Sequence, residues 1–199
     1  MTMIRRRTWM TSLVAASVVG LSACDPSKPQ FVSIDITGAE YARGFKLPDQ
    51  NGQVRTLDEF KGKVVAVFFG YTQCPDVCPT TLTEWVEIKR QLGSDGDRLQ
   101  GIFITVDPAR DTPEVLKAYM GNFDPSFLAL IPENVEALAQ VAKEFKIIYK
   151  KVDGKTPGSY TMDHSAGSYL YDPQGRLRLY SRYGNRIEGL VADIRLLLK

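Results

Sequence analysis

Hydrophobic and polar residues alternate along this chain in two kinds of block, which predict strands and helices in turn. Continuous apolar runs at Lys63–Phe69 and Leu99–Val106 are typical of strands buried on both faces of a sheet. A shorter run at Phe127–Ile131 predicts a third strand of this kind. Helical spacing of apolar residues predicts helices at 82–92 (closed by Gly93), from Thr112-Pro113 to Tyr119, at 135–145 and at 187–198.

Alternating residues predict two further pairs of strands near the ends of the folded region. Phe45–Leu47 and Gln53–Leu57 lie on either side of a turn-forming segment and predict a hairpin. Ser168–Tyr171 and Arg176–Tyr180 are separated by the turn sequence Asp-Pro-Gln-Gly. Strands that alternate with helices predict an α/β fold with a mixed central sheet flanked by helices and an N-terminal hairpin extension.

The first 23 residues have the pattern of a secretory signal. Arg5, Arg6 and Arg7 precede 13 uncharged, mostly apolar residues, a run too short to cross a bilayer as a helix. The sequence Leu-Ser-Ala-Cys that ends at Cys24 resembles a bacterial lipobox, in which the cysteine becomes lipidated at the mature N-terminus. Asp25 resembles a signal for retention in the inner membrane. Export by the Sec or the twin-arginine route and cleavage without lipidation both stay open.

These features divide the chain into three parts and remove one class of partner. Residues 1–23 form the signal, the polar and aperiodic residues 24–40 are expected to be a membrane tether, and residues 41–199 the folded domain. The whole chain has 25 basic and 23 acidic residues, but the signal contains three arginines and no acids. The mature chain therefore has 22 basic and 23 acidic residues, which argues against a nucleic-acid partner.

Two cysteines lie where the first buried strand leads into a helix. Cys74 and Cys78 are separated by three residues, so a disulfide between them would close a short loop and stabilise the fold little. The start of a helix favours thiolate over thiol, which predicts that these cysteines take part in chemistry rather than in a structural disulfide. The spacing is wider than the C-x-x-C of dithiol exchange enzymes, and two thiolates can also bind one soft ion such as Cu(I) or Zn²⁺.

His164 is the single histidine of the chain and lies just before a late strand. In a sheet of the predicted kind, this position faces the end of the strand that precedes the cysteines. Two thiolates and one imidazole would leave an open position, whereas a structural zinc site needs four ligands. Such a soft, mixed site suits copper that is taken up and released. Asp163 is expected to orient the imidazole, to serve as a weak extra ligand, or to be a solvated turn residue.

Together these motifs resemble the Sco/SenC family of copper-delivery proteins. The resemblance rests on residues 70–82 around the cysteines, on Val106–Pro113, on Asp163–Ser165 and on Asp35–Gly38, and it runs from about Phe31 to Lys199. It implies a thioredoxin-like fold and one copper ion per chain, bound by Cys74, Cys78 and His164. It further implies delivery to the dinuclear copper centre of cytochrome c oxidase subunit II, exchange with other periplasmic copper carriers, and a domain lipid-anchored on the periplasmic face of the inner membrane.

Two other functions share parts of this pattern. A thiol–disulfide oxidoreductase that keeps the recipient's cysteines reduced would need Cys74 and Cys78 as a redox pair but not His164. Peroxide reduction is disfavoured because Val67 and Tyr71 occupy the positions of the proline and threonine that precede the reactive cysteine of peroxiredoxins. We therefore expect a metal-binding assembly factor rather than an enzyme.

The role of the motif Val106–Pro113 stays open. Asp107, Arg110 and Asp111 match the family signature but three interpretations remain: shaping the loop beside the metal, docking a partner, or capping a helix and forming a surface ion pair.

Overall fold

The computed structural model describes residues 30–199. The predicted signal and Cys24 lie outside the described residues. The strands are β1 (Ile34–Asp35), β2 (Lys46–Pro48), β3 (Val54–Thr56), β4 (Val64–Gly70), β5 (Leu99–Thr105), β6 (Leu128–Leu130), β7 (Tyr149–Asp153), β8 (Tyr160–His164), β9 (Ser168–Tyr171) and β10 (Leu177–Ser181). The α-helices are α1 (Val77–Leu92), α2 (Pro113–Gly121), α3 (Val135–Glu144) and α4 (Ile187–Leu197), and short 3₁₀ turns at Leu57–Phe60 and Gly93–Arg98 complete the elements.

A six-stranded mixed sheet forms the centre of the domain. Its strand order is β1-β10-β9-β4-β5-β6, with β4 parallel to β5 and antiparallel to β9. Every residue of β4 and β5 is buried, as their continuous apolar runs predict. The parallel strands β4, β5 and β6 end at the same edge of the sheet, and α1 starts from that edge.

Aromatic side chains cover both faces of this sheet. Phe68 of β4 packs against Trp85 of α1 on one face, with ring centroids 6.4 Å apart. Phe69, the next residue, packs against Phe145 at the end of α3 on the opposite face, at 5.1 Å. Because successive side chains of a strand point to opposite faces, β4 forms the middle layer of a three-layer core.

The predicted start of α2, the predicted end of α1 and the N-terminal hairpin are confirmed, whereas α1 begins earlier, at Val77, and α2 continues to Gly121. The Thr112 hydroxyl accepts a hydrogen bond from the Val115 backbone N–H, and Pro113 is the first residue of α2. Gly93 follows α1 with a φ of 62°, in the left-handed region that glycine tolerates. β2 and β3 pair antiparallel as the predicted hairpin requires, with Leu47 opposite Arg55.

Two sequence-based expectations need correction. Residues 24–40 were expected to be a tether throughout, but Ile34 pairs with Tyr180, and buried Asp193 of α4 accepts hydrogen bonds from the backbone of Val32 and Ser33 at 2.8 Å. The folded domain therefore begins before residue 41. The hairpin of β7 and β8 was not predicted, and His164 is the last residue of β8 rather than part of a loop.

Candidate metal centre

Both cysteines lie at the edge of the sheet where β4 ends. Cys74 is half-buried in the loop after β4, and Cys78 is fully buried as the second residue of α1. Both are free cysteines. The central strand and the helix packed on it therefore fix the position of the deeper sulfur, while the outer sulfur is partly open to solvent.

Gly70, the last residue of β4, leaves the space that the Cys78 sulfur occupies. A Cβ atom at this position would lie 2.7 Å from Cys78 Sγ, 2.7 Å from a ring carbon of Phe103 and 2.9 Å from one of Phe68. These distances are far shorter than van der Waals contact. The sulfur can reach the end of β4 only because residue 70 has no side chain.

The metal-free protein does not hold Cys78 as a thiolate. Burial raises the pKa of the Cys78 thiol far above its ordinary value, and this effect exceeds the hydrogen bond from the backbone that favours the thiolate. The expectation that the start of α1 favours thiolate is therefore wrong for Cys78. A metal ion that binds this sulfur must displace its proton.

His164 extends from the end of β8 toward Cys78. Its Nε2 atom lies 3.6 Å from Cys78 Sγ. Its Nδ1 atom lies 3.0 Å from the carbonyl oxygen of Ser165, which can only accept, so Nδ1 carries the proton and Nε2 keeps its lone pair toward the sulfurs. Burial lowers the pKa of His164, which favours the neutral imidazole that a metal needs.

Asp163 does not orient this imidazole. Its side chain is exposed, and in the register of the hairpin its backbone lies opposite that of Lys150. Because neighbouring residues of a strand point to opposite faces, Asp163 points away from the face that carries His164. The carbonyl of Ser165 makes the hydrogen bond that was expected from Asp163. The rings of Phe68 and Tyr71 also contact the imidazole edge to face, each at 5.9 Å between centroids.

Among the described residues, Cys74, Cys78 and His164 form a group that could hold a metal ion. One ligand atom from each lies within 4.8 Å of the others. Two ligand atoms bound about 2.2 Å from one ion at a tetrahedral angle are about 3.6 Å apart, which is the separation of Cys78 Sγ and His164 Nε2. The donor set is two soft sulfurs and one imidazole, which suits copper better than a hard cation.

Asp111 attaches the cysteine loop to the sheet. Its fully buried carboxylate accepts hydrogen bonds of 2.6 Å from the hydroxyls of Thr72 and Thr105, and one of 3.2 Å from the Thr72 backbone N–H. Burial raises the pKa of Asp111, although these hydrogen bonds oppose the shift. Of the interpretations left open by the sequence, loop shaping is the one this residue's contacts support.

Arg110 joins the cysteine loop to the hairpin that carries His164. Its Nη1 atom donates to the side-chain oxygen of Gln73, next to Cys74, at 2.9 Å and to the carbonyl of Tyr160 at 3.0 Å. Its guanidinium lies over the Tyr160 ring, 3.5 Å from the centroid. It is also paired with Asp107, which is only 4% exposed and accepts a 2.9 Å hydrogen bond from the Tyr160 hydroxyl.

Sequence reasoning missed Gly70, Gln73 and Tyr160 as supports of the site. The alternation of Tyr160, Met162 and His164 was a signal for a strand, since every second residue of a strand shares a face. No signal in the sequence pairs Gln73 with Arg110, because 37 residues separate them and the contact depends on the fold.

A thioredoxin-like fold with a Cys-Cys-His group at one edge of its sheet defines this molecule, and comparison with known proteins identifies its family. The SCO1/SenC family profile matches residues 34–199, so the chain belongs to that family. An SCO2-like protein of Rickettsia felis is 38% identical over 166 residues, covering 82% of this chain and 80% of that protein.

Solved structures of Sco proteins also resemble this chain. ScoI of Bradyrhizobium japonicum with copper bound is 43% identical, with a TM-score of 0.69, and the match covers 77% of this chain and 97% of that one. Yeast Sco1 with copper bound is 34% identical, also with a TM-score of 0.69, over 77% and 85%. Among residues 30–199, no helix is both long and apolar enough to span a membrane.

Proposed function

We propose that this protein is a copper metallochaperone that binds one copper ion through Cys74, Cys78 and His164. The observation that carries the proposal is the convergence of these three ligand atoms within 4.8 Å. Membership of a family in which related proteins have been solved with copper bound supports the choice of metal. Copper is the cargo: three ligands leave a coordination position that an incoming ligand of an acceptor can use during transfer.

The residues of the chain divide the work of binding and release. Cys78, buried against the end of β4, fixes the inner ligand position, and Cys74 provides a sulfur that an acceptor can reach. The carbonyl of Ser165 keeps the Nδ1 proton of His164 in place, so Nε2 is available as a ligand without loss of a proton. Binding at neutral pH therefore displaces the proton of the buried Cys78 thiol and leaves the Nδ1 proton of the imidazole in place.

The acceptor in this proposal is the dinuclear copper centre of cytochrome c oxidase subunit II, as the family resemblance implies. The lipobox sequence at residues 21–24 supports a lipid anchor on Cys24 and a location on the periplasmic face of the inner membrane. Mass spectrometry of the N-terminal peptide tests this directly. A diacylated Cys24 is expected in the wild type, and Cys24→Ser should release the protein from the membrane fraction.

A second candidate is thiol–disulfide exchange with the recipient's cysteines, and the proximity of the two free sulfurs favours it. Cys74 would attack a recipient disulfide because it is half-buried, whereas Cys78 is fully buried. The Cys78 sulfur would then attack the Cys74 sulfur, which releases the recipient as a dithiol and leaves Cys74 and Cys78 oxidised. This reaction does not require His164.

Substitution of His164 by alanine separates the two candidates. The reduced wild-type domain, titrated with Cu(I) and Cu(II), is expected to bind one equivalent of each, with sulfur-to-copper charge-transfer absorption for Cu(II). His164→Ala should lose Cu(II) binding and keep its rate of disulfide exchange. If oxidase assembly in cells survives His164→Ala unchanged, copper delivery is the wrong function and dithiol exchange is the right one.

A further inference from the structure

An open groove lies beside the metal centre. It is bounded by the β7–β8 hairpin, the start of α3 and the loop that follows β5, and its volume is about 630 Å³. Its floor is mainly apolar and includes Val106, Pro108, Leu138, Tyr149 and Met162. Val135, at the rim, is 68% exposed. A half-open apolar concavity with an exposed hydrophobic rim is typical of a surface that binds another molecule.

The groove and the metal centre share one face of the hairpin. Tyr160, Met162 and His164 alternate along β8 and so point the same way. Tyr160 and Met162 line the groove, and His164 follows Met162 about 7 Å further along the strand. A molecule seated in the groove would therefore lie directly beside the bound cargo.

The rim of the groove on the side of α3 is negatively charged. Glu133 and Glu136 are exposed there, and neither forms an ion pair within residues 30–199. Asp107, by contrast, is already paired with Arg110 and bonded to Tyr160. On the opposite side, the ammonium of Lys151 lies over the Tyr160 ring, 4.1 Å from its centroid. The unpaired acidic rim would repel anionic lipid or phosphate and attract a cationic group.

We propose that this groove docks the protein that accepts the copper, which inserts an apolar side chain flanked by lysine or arginine. The proposal rests on the proposed function, since it names the surface that the acceptor uses. The apolar side chain would cover the floor beside Val135, and the cationic residue would pair with Glu133 and Glu136. A groove of this size is suited to a small, transient interface, which lets the partner leave after transfer.

The test measures copper transfer to the soluble domain of cytochrome c oxidase subunit II from the same bacterium. Copper-loaded protein is mixed with this domain, and the copper content of both is followed over time. Val135→Asp is expected to slow transfer at least about tenfold while copper stoichiometry is unchanged. The variant should fold, because Val135 is exposed and an acid in the first turn suits a helix. Val54→Asp, a change of another exposed valine, on β3, is the matched control and should transfer normally.

Charge reversal sharpens the test. Glu133→Lys with Glu136→Lys should slow transfer and flatten its dependence on salt, whereas Glu188→Lys on α4 should do neither. Transfer by Val135→Asp at the wild-type rate overturns the docking proposal, and so does equal slowing by Val54→Asp.

Failure of the proposed function would look different. In that case the wild type itself would bind or pass on no copper. Titration of the metal-free protein with the same acceptor domain then decides the groove separately: weaker binding by Val135→Asp than by Val54→Asp supports docking, and equal binding rejects it.

Discussion

The two halves of the metal centre are built in different ways. The sulfurs belong to the centre of the fold, since β4 is buried along its whole length and is paired on both sides, by β5 and β9. The imidazole belongs to a hairpin whose two strands pair only with each other, and four of the five residues of β7 are exposed. The half that carries the sulfurs, the rigid half, is therefore fixed by the main sheet, whereas the half that carries His164, the peripheral half, is attached to it through Arg110 and Tyr160.

Removal of the Asp111 carboxylate tests the rigid half and has the largest expected effect. Asp111→Ala leaves the Thr72 backbone N–H and the hydroxyls of Thr72 and Thr105 without their acceptor in a buried place. We expect a loss of about 2–4 kcal/mol in the free energy of unfolding, measured by urea denaturation. Asp111→Asn is the matched control, because it keeps one acceptor oxygen and should lose less.

Loss of the Arg110 side chain tests the peripheral half, and copper affinity is the quantity that reports on it. Arg110→Ala removes the two hydrogen bonds through which Arg110 connects Gln73 to Tyr160. We expect copper affinity to fall about tenfold or more, since supports of a ligand commonly have effects of that size. The free energy of unfolding should also fall, because the nearly buried carboxylate of Asp107 loses its ion-pair partner.

Arg110→Lys is the control for this second prediction. Lysine keeps the positive charge beside Asp107 but cannot lie flat on the Tyr160 ring or donate in two directions from a planar group. If the copper affinity of Arg110→Lys is close to that of Arg110→Ala, the geometry of the guanidinium is what matters. If Arg110→Lys binds copper as tightly as the wild type, the effect comes from the positive charge alone. If both variants bind copper like the wild type, the two halves are not joined as the contacts indicate.

The pH dependence of copper affinity compares the two kinds of ligand. The pKa of Cys78 is raised by burial, so its thiol is protonated at neutral pH and Cu(I) must displace that proton. Displacement of the Cys78 proton should therefore raise Cu(I) affinity about tenfold per pH unit between about pH 7 and 8. The lowered pKa of His164 leaves the imidazole neutral in this range, so it adds no slope.

The raised pKa of Cys78 affects the stability of the metal-free protein in the opposite direction: Cu(I) affinity rises with pH, whereas the free energy of unfolding falls. A thiol with a raised pKa in the folded state stabilises it fully below the unfolded value of 9.0, and this contribution is lost as the pH rises above that value. Urea denaturation of the wild type and of Cys78→Ser between pH 7 and 10 measures how the free energy of unfolding of each depends on pH. A wild-type slope equal to that of Cys78→Ser would contradict the assignment.

The sequence by itself determined most of the architecture and the identity of the ligands. Apolar runs such as Lys63–Phe69 predict buried strands because an exposed run of this kind would be costly, and Thr112-Pro113 predicts a helix start from local hydrogen bonding. Cys74, Cys78 and His164 could be selected because thiols and imidazoles are few in this chain and bind soft metals.

Only the tertiary structure decided how those ligands are held. The local sequence predicted a thiolate at Cys78, but burial in the core raises its pKa, because removal from water disfavours the charged form. The carbonyl of Ser165 replaced Asp163 as the partner of the imidazole, since the alternation of β8 turns Asp163 toward solvent. The contacts of Arg110 join residues that are 37 and 50 positions away, so they depend on chain topology rather than on any local pattern.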